Sequence, residues 1–184
     1  MKNLIIFCTL AWVALITIPM TNVRSGEVAM KLESSSFQDG GKIPLKYVMP
    51  GAGGKNISPE LHWENIPEGT KSLAILMEDP HPVAKHWVHW AVINIPPSVR
   101  SIPEGASPDK MPKGSLELQN SFGFKGYGGP QPPPGTGDHP YVFTLYALDV
   151  PEISVPEKVT VQSFEKALNG HVLAKAQLTG YFGR

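Results

Sequence analysis

The chain has 184 residues, a formal net charge of zero and one cysteine. This length suits one domain with an adequate core, and balanced charge without a basic stripe argues against a nucleic-acid partner. The chain contains 18 glycines and 19 prolines, which predicts many turns between short strands rather than low-complexity disorder.

The N-terminus predicts a signal peptide over residues 1–25, followed by one domain over residues 26–184. Lys2 precedes an apolar run over residues 4–18, which is the pattern of a secretory leader. The run is shorter than the roughly 20 residues of a spanning helix. We therefore expect cleavage after Ser25, a periplasmic or secreted protein and no stable membrane insertion, with an uncleaved anchor as the alternative. Cys8 lies inside the run, so cleavage would leave no thiol nucleophile and no disulfide.

Periodicity predicts a mostly β fold, an antiparallel β-sheet sandwich with one short C-terminal helix. A helix capped by Thr160 or Ser163 and ended by Gly170 carries an apolar stripe. The predicted edge strands cover residues 28–32 and 43–48, the central strands residues 72–78 and 87–95, and the last two strands residues 141–148 and 171–180.

The first candidate site is the stretch over residues 78–90, with the sequence EDPHPVAKHWVHW. Asp79 ends an apolar strand, so its carboxylate is expected to be partly buried and to need a partner such as a neutral histidine. Regular alternation places Trp87 and His89 on one face of the next strand, and His86, Val88 and Trp90 on the other. Because His86 and His89 are on opposite faces, their spacing does not favour a zinc site built from both residues. The separation makes His89 a ligand candidate with Trp87 as a wall, and His86 a surface residue.

The second candidate site is the stretch over residues 126–141, with the sequence GYGGPQPPPGTGDHPY. Its glycines allow close backbone approach and an anion-binding nest of N–H groups, and its prolines stiffen the loop. His139 and Tyr141 are two residues apart and share a strand face. These groups are mostly donors, which suits a phosphate or carboxylate. The only cations nearby are Lys85 and Lys125, so the predicted affinity is modest and rises when the histidines are protonated.

Several of these motifs together resemble the phosphatidylethanolamine-binding protein family, and most closely its bacterial Raf-kinase-inhibitor-like branch. The resemblance covers about residues 28–182, because the motifs occur in the family's order. They are DP at 79–80, WVHW at 87–90, NIP at 94–96, NISPELHW at 56–63, GYGGPQPPPGTGDH at 126–139, YVFTLYALD at 141–149 and NGHVLAKA at 169–176.

The resemblance implies an antiparallel sandwich with a small anion pocket at one end. It assigns the pocket carboxylate to Asp79 and the pocket histidines to His89 and His139. The aromatic wall falls on Trp87 and Tyr141, and the Gly/Pro loop contributes Gly129, Pro130 and Gln131.

The sequence departs from the family at three pocket positions. The family's usual Asp-Pro-Asp-Ala-Pro turn is one residue shorter here, with His81 near the second aspartate, which makes the site less acidic. Gln131 stands where glycine or cysteine is common, and Pro140 replaces an arginine.

The functional prediction is an exported protein that binds a phosphate-bearing head group or an anionic peptide side chain, without catalytic turnover, cofactor or bound metal. Eukaryotic relatives inhibit kinases or proteases, so a regulated protein partner is a further expectation, although fold alone does not carry function across. Two alternatives stay open. One is a hydrolase in which Asp79 and His89 form a general base, and the other is a metal site built from Asp79, His81, His89 and His139. The oligomeric state is not predicted.

Overall fold

The computed structural model describes residues 28–184, so the predicted signal peptide lies outside the described residues. The part of the chain described contains eight strands and one α-helix. The strands are β1 (Lys31–Glu33), β2 (Leu61–Glu64), β3 (Ser72–Asp79), β4 (Trp87–Ile95), β5 (Ser101–Ile102), β6 (Leu116–Glu117), β7 (His139–Leu148) and β8 (Val172–Phe182), and the helix is α1 (Val161–Leu168).

The strands form two antiparallel sheets, which confirms the predicted mostly β fold. One sheet has the order β1-β2-β5, and the other has the order β6-β4-β3-β7-β8. Within residues 28–184, no helix is both long and apolar enough to cross a membrane.

The central strand β3 is buried on both faces, because the five-stranded sheet has a layer on each side. Leu73 and Ile75 point into the core shared with the three-stranded sheet, where they join Trp63 of β2. Their neighbour Leu76 belongs to a second core with Phe164 of α1. The sequence of a strand that is covered on both faces is continuously apolar and does not alternate between apolar and polar residues.

Both residues predicted as helix caps take part in the start of α1. The Thr160 hydroxyl accepts a hydrogen bond from the backbone N–H of Ser163, and the Ser163 hydroxyl accepts one from the N–H of Thr160. This reciprocal arrangement is a capping box, in which serine takes the place of the usual Glu or Gln.

The predicted edge strand over residues 43–48 is wrong. Leu45–Tyr47 instead forms a 3₁₀ turn that begins after Pro44, with the backbone N–H of Val48 donating to the carbonyl of Leu45 at 3.1 Å. The alternation of apolar residues misled the prediction because tertiary packing, not strand pairing, buries Ile43 and Tyr47.

A β-bulge at His89 changes the predicted alternation in β4. Met77 of β3 pairs with Trp90, but the next residue, Glu78, pairs with Val88, so His89 is the extra residue. As a result Trp90 packs in the core between the sheets and Val88 in the core under α1, rather than on one common face. Bulges of this kind re-aim a side chain where a strand begins or ends.

Candidate ligand-binding pocket

The two predicted stretches meet at one end of the five-stranded sheet. Asp79 is the last residue of β3, Trp87 is the first of β4 and His139 is the first of β7. Since β3 pairs antiparallel with both neighbours, its end lies beside their beginnings. A cavity of about 360 Å³ opens there, lined by Asp79, Val83, Ala84, Lys85, Trp87, His89, Phe122, Gln131, Pro132, Pro133, His139 and Tyr141.

Six of the nine predicted ligand residues line this cavity: Asp79, Trp87, His89, Gln131, His139 and Tyr141. The other three, His81, Gly129 and Pro130, are not part of its lining. The residue predicted as a surface histidine, His86, is also outside the cavity and contacts Glu78, with Nδ1 2.7 Å from Oε2.

The carboxylate of Asp79 pairs with His139 rather than with His89. His139 Nδ1 lies 2.6 Å from Asp79 Oδ2, and both side chains are almost fully buried. The other ring nitrogen, Nε2, is 2.9 Å from the hydroxyl of Thr136, which itself donates to the Pro133 carbonyl at 2.7 Å. His139 is thus held at both ring nitrogens, with Nδ1 against the Asp79 carboxylate and Nε2 against the Thr136 hydroxyl.

His81 supports this pair from outside the cavity. Its ring stacks on that of His139 with centroids 3.7 Å apart, and its backbone N–H donates to Asp79 Oδ1 at 2.9 Å. His81 Nδ1 accepts weakly from the N–H of Val83 at 3.3 Å. The geometry therefore gives His81 a role in holding Asp79 and His139, and its direct contact with a ligand stays a prediction.

His89 is the neutral histidine of the site. Its Nδ1 lies 2.6 Å from the carbonyl of Gly128, which fixes the proton on Nδ1 and leaves a lone pair on Nε2. Burial lowers the pKa of His89 to about 4, although the Gly128 carbonyl and the charge of Asp79 act in the opposite direction. His89 therefore stays uncharged near neutral pH, and the expectation that protonated histidines strengthen anion binding stays a prediction.

Tyr141 carries the one buried side-chain polar atom without a hydrogen-bond partner among the described residues, its hydroxyl oxygen. Burial and the charge of Asp79 raise the pKa of Tyr141, while the backbone N–H of Gln131 has a smaller lowering effect. That N–H is close enough to influence the hydroxyl but makes no hydrogen bond of normal geometry with it. An unsatisfied buried hydroxyl costs free energy, so its position in the wall of a cavity points to a ligand.

The predicted nest of glycine N–H groups is not available to a ligand. Gly128 N–H donates to the His89 carbonyl at 2.9 Å, and Gly129 N–H donates to the Asn56 side chain at 2.7 Å. Gly129 is needed for close approach instead, because a Cβ there would lie 2.1 Å from the carbonyl oxygen of Tyr47. The glycines thus shape the loop and hold His89 rather than bind an anion.

Sequence reasoning missed several residues that build the site. Phe122 lies in the wall, with its ring edge-on to both Trp87 and His89; its only signal in the sequence is its place just before the Gly/Pro loop. Arg184 fastens that loop: its Nε donates to the Pro132 carbonyl at 2.6 Å and its Nη1 to the Gly51 carbonyl at 2.7 Å. No sequence pattern links Arg184 to Gly51.

The described residues give no support to the metal-site alternative. Within residues 28–184, no three His, Cys, Asp or Glu side chains are grouped so that they could hold a metal ion. Of the four predicted ligands, His139 has both ring nitrogens engaged by other side chains.

A two-sheet antiparallel fold with a small, partly polar pocket at the strand ends defines the class of this protein as an antiparallel β-sandwich. The sequence profile described as phosphatidylethanolamine-binding protein matches residues 33–183, and the chain belongs to that family.

Relatives of similar length support the assignment. The chain is 40% identical over 158 residues to the UPF0098 protein YbhB of Escherichia coli, covering 83% of this chain and 99% of that protein. It is 34% identical to E. coli YbcL, whose crystal structure is described as a new member of the mammalian PEBP family. That structure matches with a TM-score of 0.79 over 84% of this chain and 98% of the other. A Mycobacterium tuberculosis protein named putative lipoprotein LppC is 35% identical over 90% of this chain and 78% of its own length.

Proposed function

We propose that the protein binds a small anion, a phosphate-bearing head group or a carboxylate, in the cavity at the ends of β3, β4 and β7. The observation that carries the proposal is the buried hydroxyl of Tyr141, which lines the cavity without a partner in the described residues. An anionic oxygen would accept its hydrogen bond, and hydrogen bonds to charged groups contribute about 1.5–3 kcal/mol.

The polar groups around the cavity support an anion over a cation. The Asp79 carboxylate is already engaged by His139 Nδ1, whereas Lys85 lines the cavity and forms no ion pair within residues 28–184. The walls are apolar, with Phe122, Trp87 and Pro133 among them. Such a site holds one charged group in a mostly apolar enclosure, as ligand pockets commonly do.

Tyr141→Phe tests the proposal, because it removes the hydroxyl and leaves the ring. We expect unchanged or slightly higher stability, together with a roughly 10- to 100-fold loss of affinity for phosphoethanolamine measured by calorimetry. Tyr127→Phe is the matched control. The Tyr127 hydroxyl donates to the Tyr47 carbonyl at 2.9 Å outside the cavity, so this variant should lose about 1 kcal/mol of stability and keep its affinity. Equal affinity of the wild type and Tyr141→Phe would refute the site.

The same proposal places the protein outside the cytoplasm. Its supports are the leader-like pattern of residues 1–25 and the name of one relative, putative lipoprotein LppC. Expression of the full chain in a Gram-negative host should yield periplasmic protein whose first residue is Gly26. A cytoplasmic product of full length would contradict export. The proposal includes a regulatory role on a protein partner.

The hydrolase alternative is weaker than the binding function. It required Asp79 and His89 to act together, but Asp79 pairs with His139 and His89 Nδ1 is held by Gly128. His139 has no free nitrogen with which to take a proton from water.

A further inference from the structure

The cavity has hydrogen-bond acceptors as well as donors, and the acceptors restrict which anion it suits. His89 donates through Nδ1 to Gly128, so the nitrogen left for a ligand, Nε2, offers a lone pair. Asp79 also lines the cavity and is an acceptor only. A fully ionised oxyanion has no proton to give to these groups, and its oxygens would face their lone pairs.

The same cavity also offers a donor and a positive charge. The Tyr141 hydroxyl has no hydrogen-bond partner among the described residues and is free to donate. Lys85 lines the cavity and forms no ion pair within residues 28–184.

We infer that the site selects the protonated, singly charged form of a phosphate monoester, whose P–OH donates to Nε2 of His89 while another of its oxygens accepts from the Tyr141 hydroxyl. This inference rests on the proposed anion-binding function. It goes beyond it by naming the ionisation state of the ligand. It also predicts discrimination against sulfate esters and phosphodiesters, which carry one negative charge and no acidic proton.

The test compares methyl phosphate, methyl sulfate and dimethyl phosphate by calorimetry at about pH 5.5. All three are then mostly monoanions, because a phosphomonoester loses its second proton near pH 6. They differ mainly in the P–OH group. We expect methyl phosphate to bind roughly 10- to 100-fold more tightly than the other two, as a missing partner for a buried polar group predicts.

Raising the pH to about 8 should weaken methyl phosphate binding at least tenfold, because little of the monoanion remains above its second pKa of about 6. The methyl sulfate titration over the same range reports the pH dependence of the protein itself. The titratable groups that line the cavity around His89, or stack behind it, all contribute to that dependence: Asp79, Lys85, Tyr141, His139 and His81.

A spectroscopic measurement tests the proton directly. The ¹⁵N chemical shift of His89 Nε2 should stay that of an unprotonated, hydrogen-bonded nitrogen in the methyl phosphate complex.

Three results would overturn the inference. Equal affinity for the three esters, or conversion of His89 to an imidazolium on binding, would refute the choice of the monoanion and leave the anion pocket standing. Binding of none of them at millimolar concentration would refute the anion pocket and this inference together.

Discussion

Asp79 and His139 form a buried hydrogen-bonded pair, with Nδ1 and Oδ2 2.6 Å apart and side-chain exposures of 4% and 0%. The two residues are 60 positions apart in the chain and connect the end of β3 to the start of β7. Buried pairs of this kind add little stability relative to an apolar core, but loss of one partner strands the other charge.

We therefore predict strong energetic coupling between these two residues. Asp79→Ala and His139→Ala should each lower the free energy of unfolding by about 3–5 kcal/mol. The double variant should lose less than the sum of the two, by more than about 1 kcal/mol. Urea denaturation of the four proteins measures this cycle. Additive losses would show that the pair does not act as a unit.

Because His89 is buried, we expect the free energy of unfolding to fall in mild acid. Its pKa falls from the ordinary 6.5 to about 4 in the folded protein because of burial. Between these values the unfolded chain binds a proton that the folded protein does not, so the unfolding free energy falls as the pH is lowered through this window. The contribution amounts to at most about 3 kcal/mol and is absent above about pH 7.

Urea titrations between about pH 7.5 and pH 4.5 measure this dependence. His89→Gln should flatten it. An identical slope in the wild type and His89→Gln would contradict burial as the cause.

Gly129→Ala should disrupt the pocket loop, because the new methyl group would lie 2.1 Å from the backbone carbonyl oxygen of Tyr47. We expect a loss of at least about 3 kcal/mol, since backbone must move to relieve the overlap. Gly137→Ala is a matched control in the same loop. Its added Cβ meets no atom within 4 Å and its φ of +84° costs only about 1–2 kcal/mol. Thermal unfolding of both variants measures the two losses, and equal losses would argue against the overlap with Tyr47 as the cause.

Arg184→Ala should loosen the wall of the cavity without touching a ligand. The variant loses two hydrogen bonds, to the carbonyls of Pro132 and Gly51, so the loop must be ordered when a ligand binds. We expect a roughly 3- to 10-fold weaker affinity for phosphoethanolamine and faster amide hydrogen exchange around residues 131–137.

Lys175→Ala, at an exposed basic residue elsewhere on β8, controls for the loss of positive charge. Unchanged hydrogen exchange in Arg184→Ala, or an equal loss of affinity in both variants, would argue that the hydrogen bonds of Arg184 do not order the loop.

The sequence by itself determined the strand-rich architecture, the family and most of the pocket residues. Runs such as residues 72–78 and 141–148 are too apolar to lie anywhere but in a central sheet. The motifs that place Asp79, His89 and His139 near strand ends are local in the chain, so their approximate positions follow from element boundaries alone.

Only the tertiary structure decided which groups of the pocket are paired and which are free. The sequence gives no preference between His89 and His139 as the partner of Asp79. His139 meets Asp79 because β7 pairs antiparallel with β3, and His89 is instead held by the Gly128 carbonyl. The sequence suggests that the N–H groups of the glycines are free. In the folded protein the N–H of Gly129 donates to the side chain of Asn56, which lies in a distant segment. Hydrogen bonds between distant segments leave no periodic pattern in the sequence. For that reason the free hydroxyl of Tyr141 and the hydrogen bonds of Arg184 to Pro132 and Gly51 are apparent only in the folded protein.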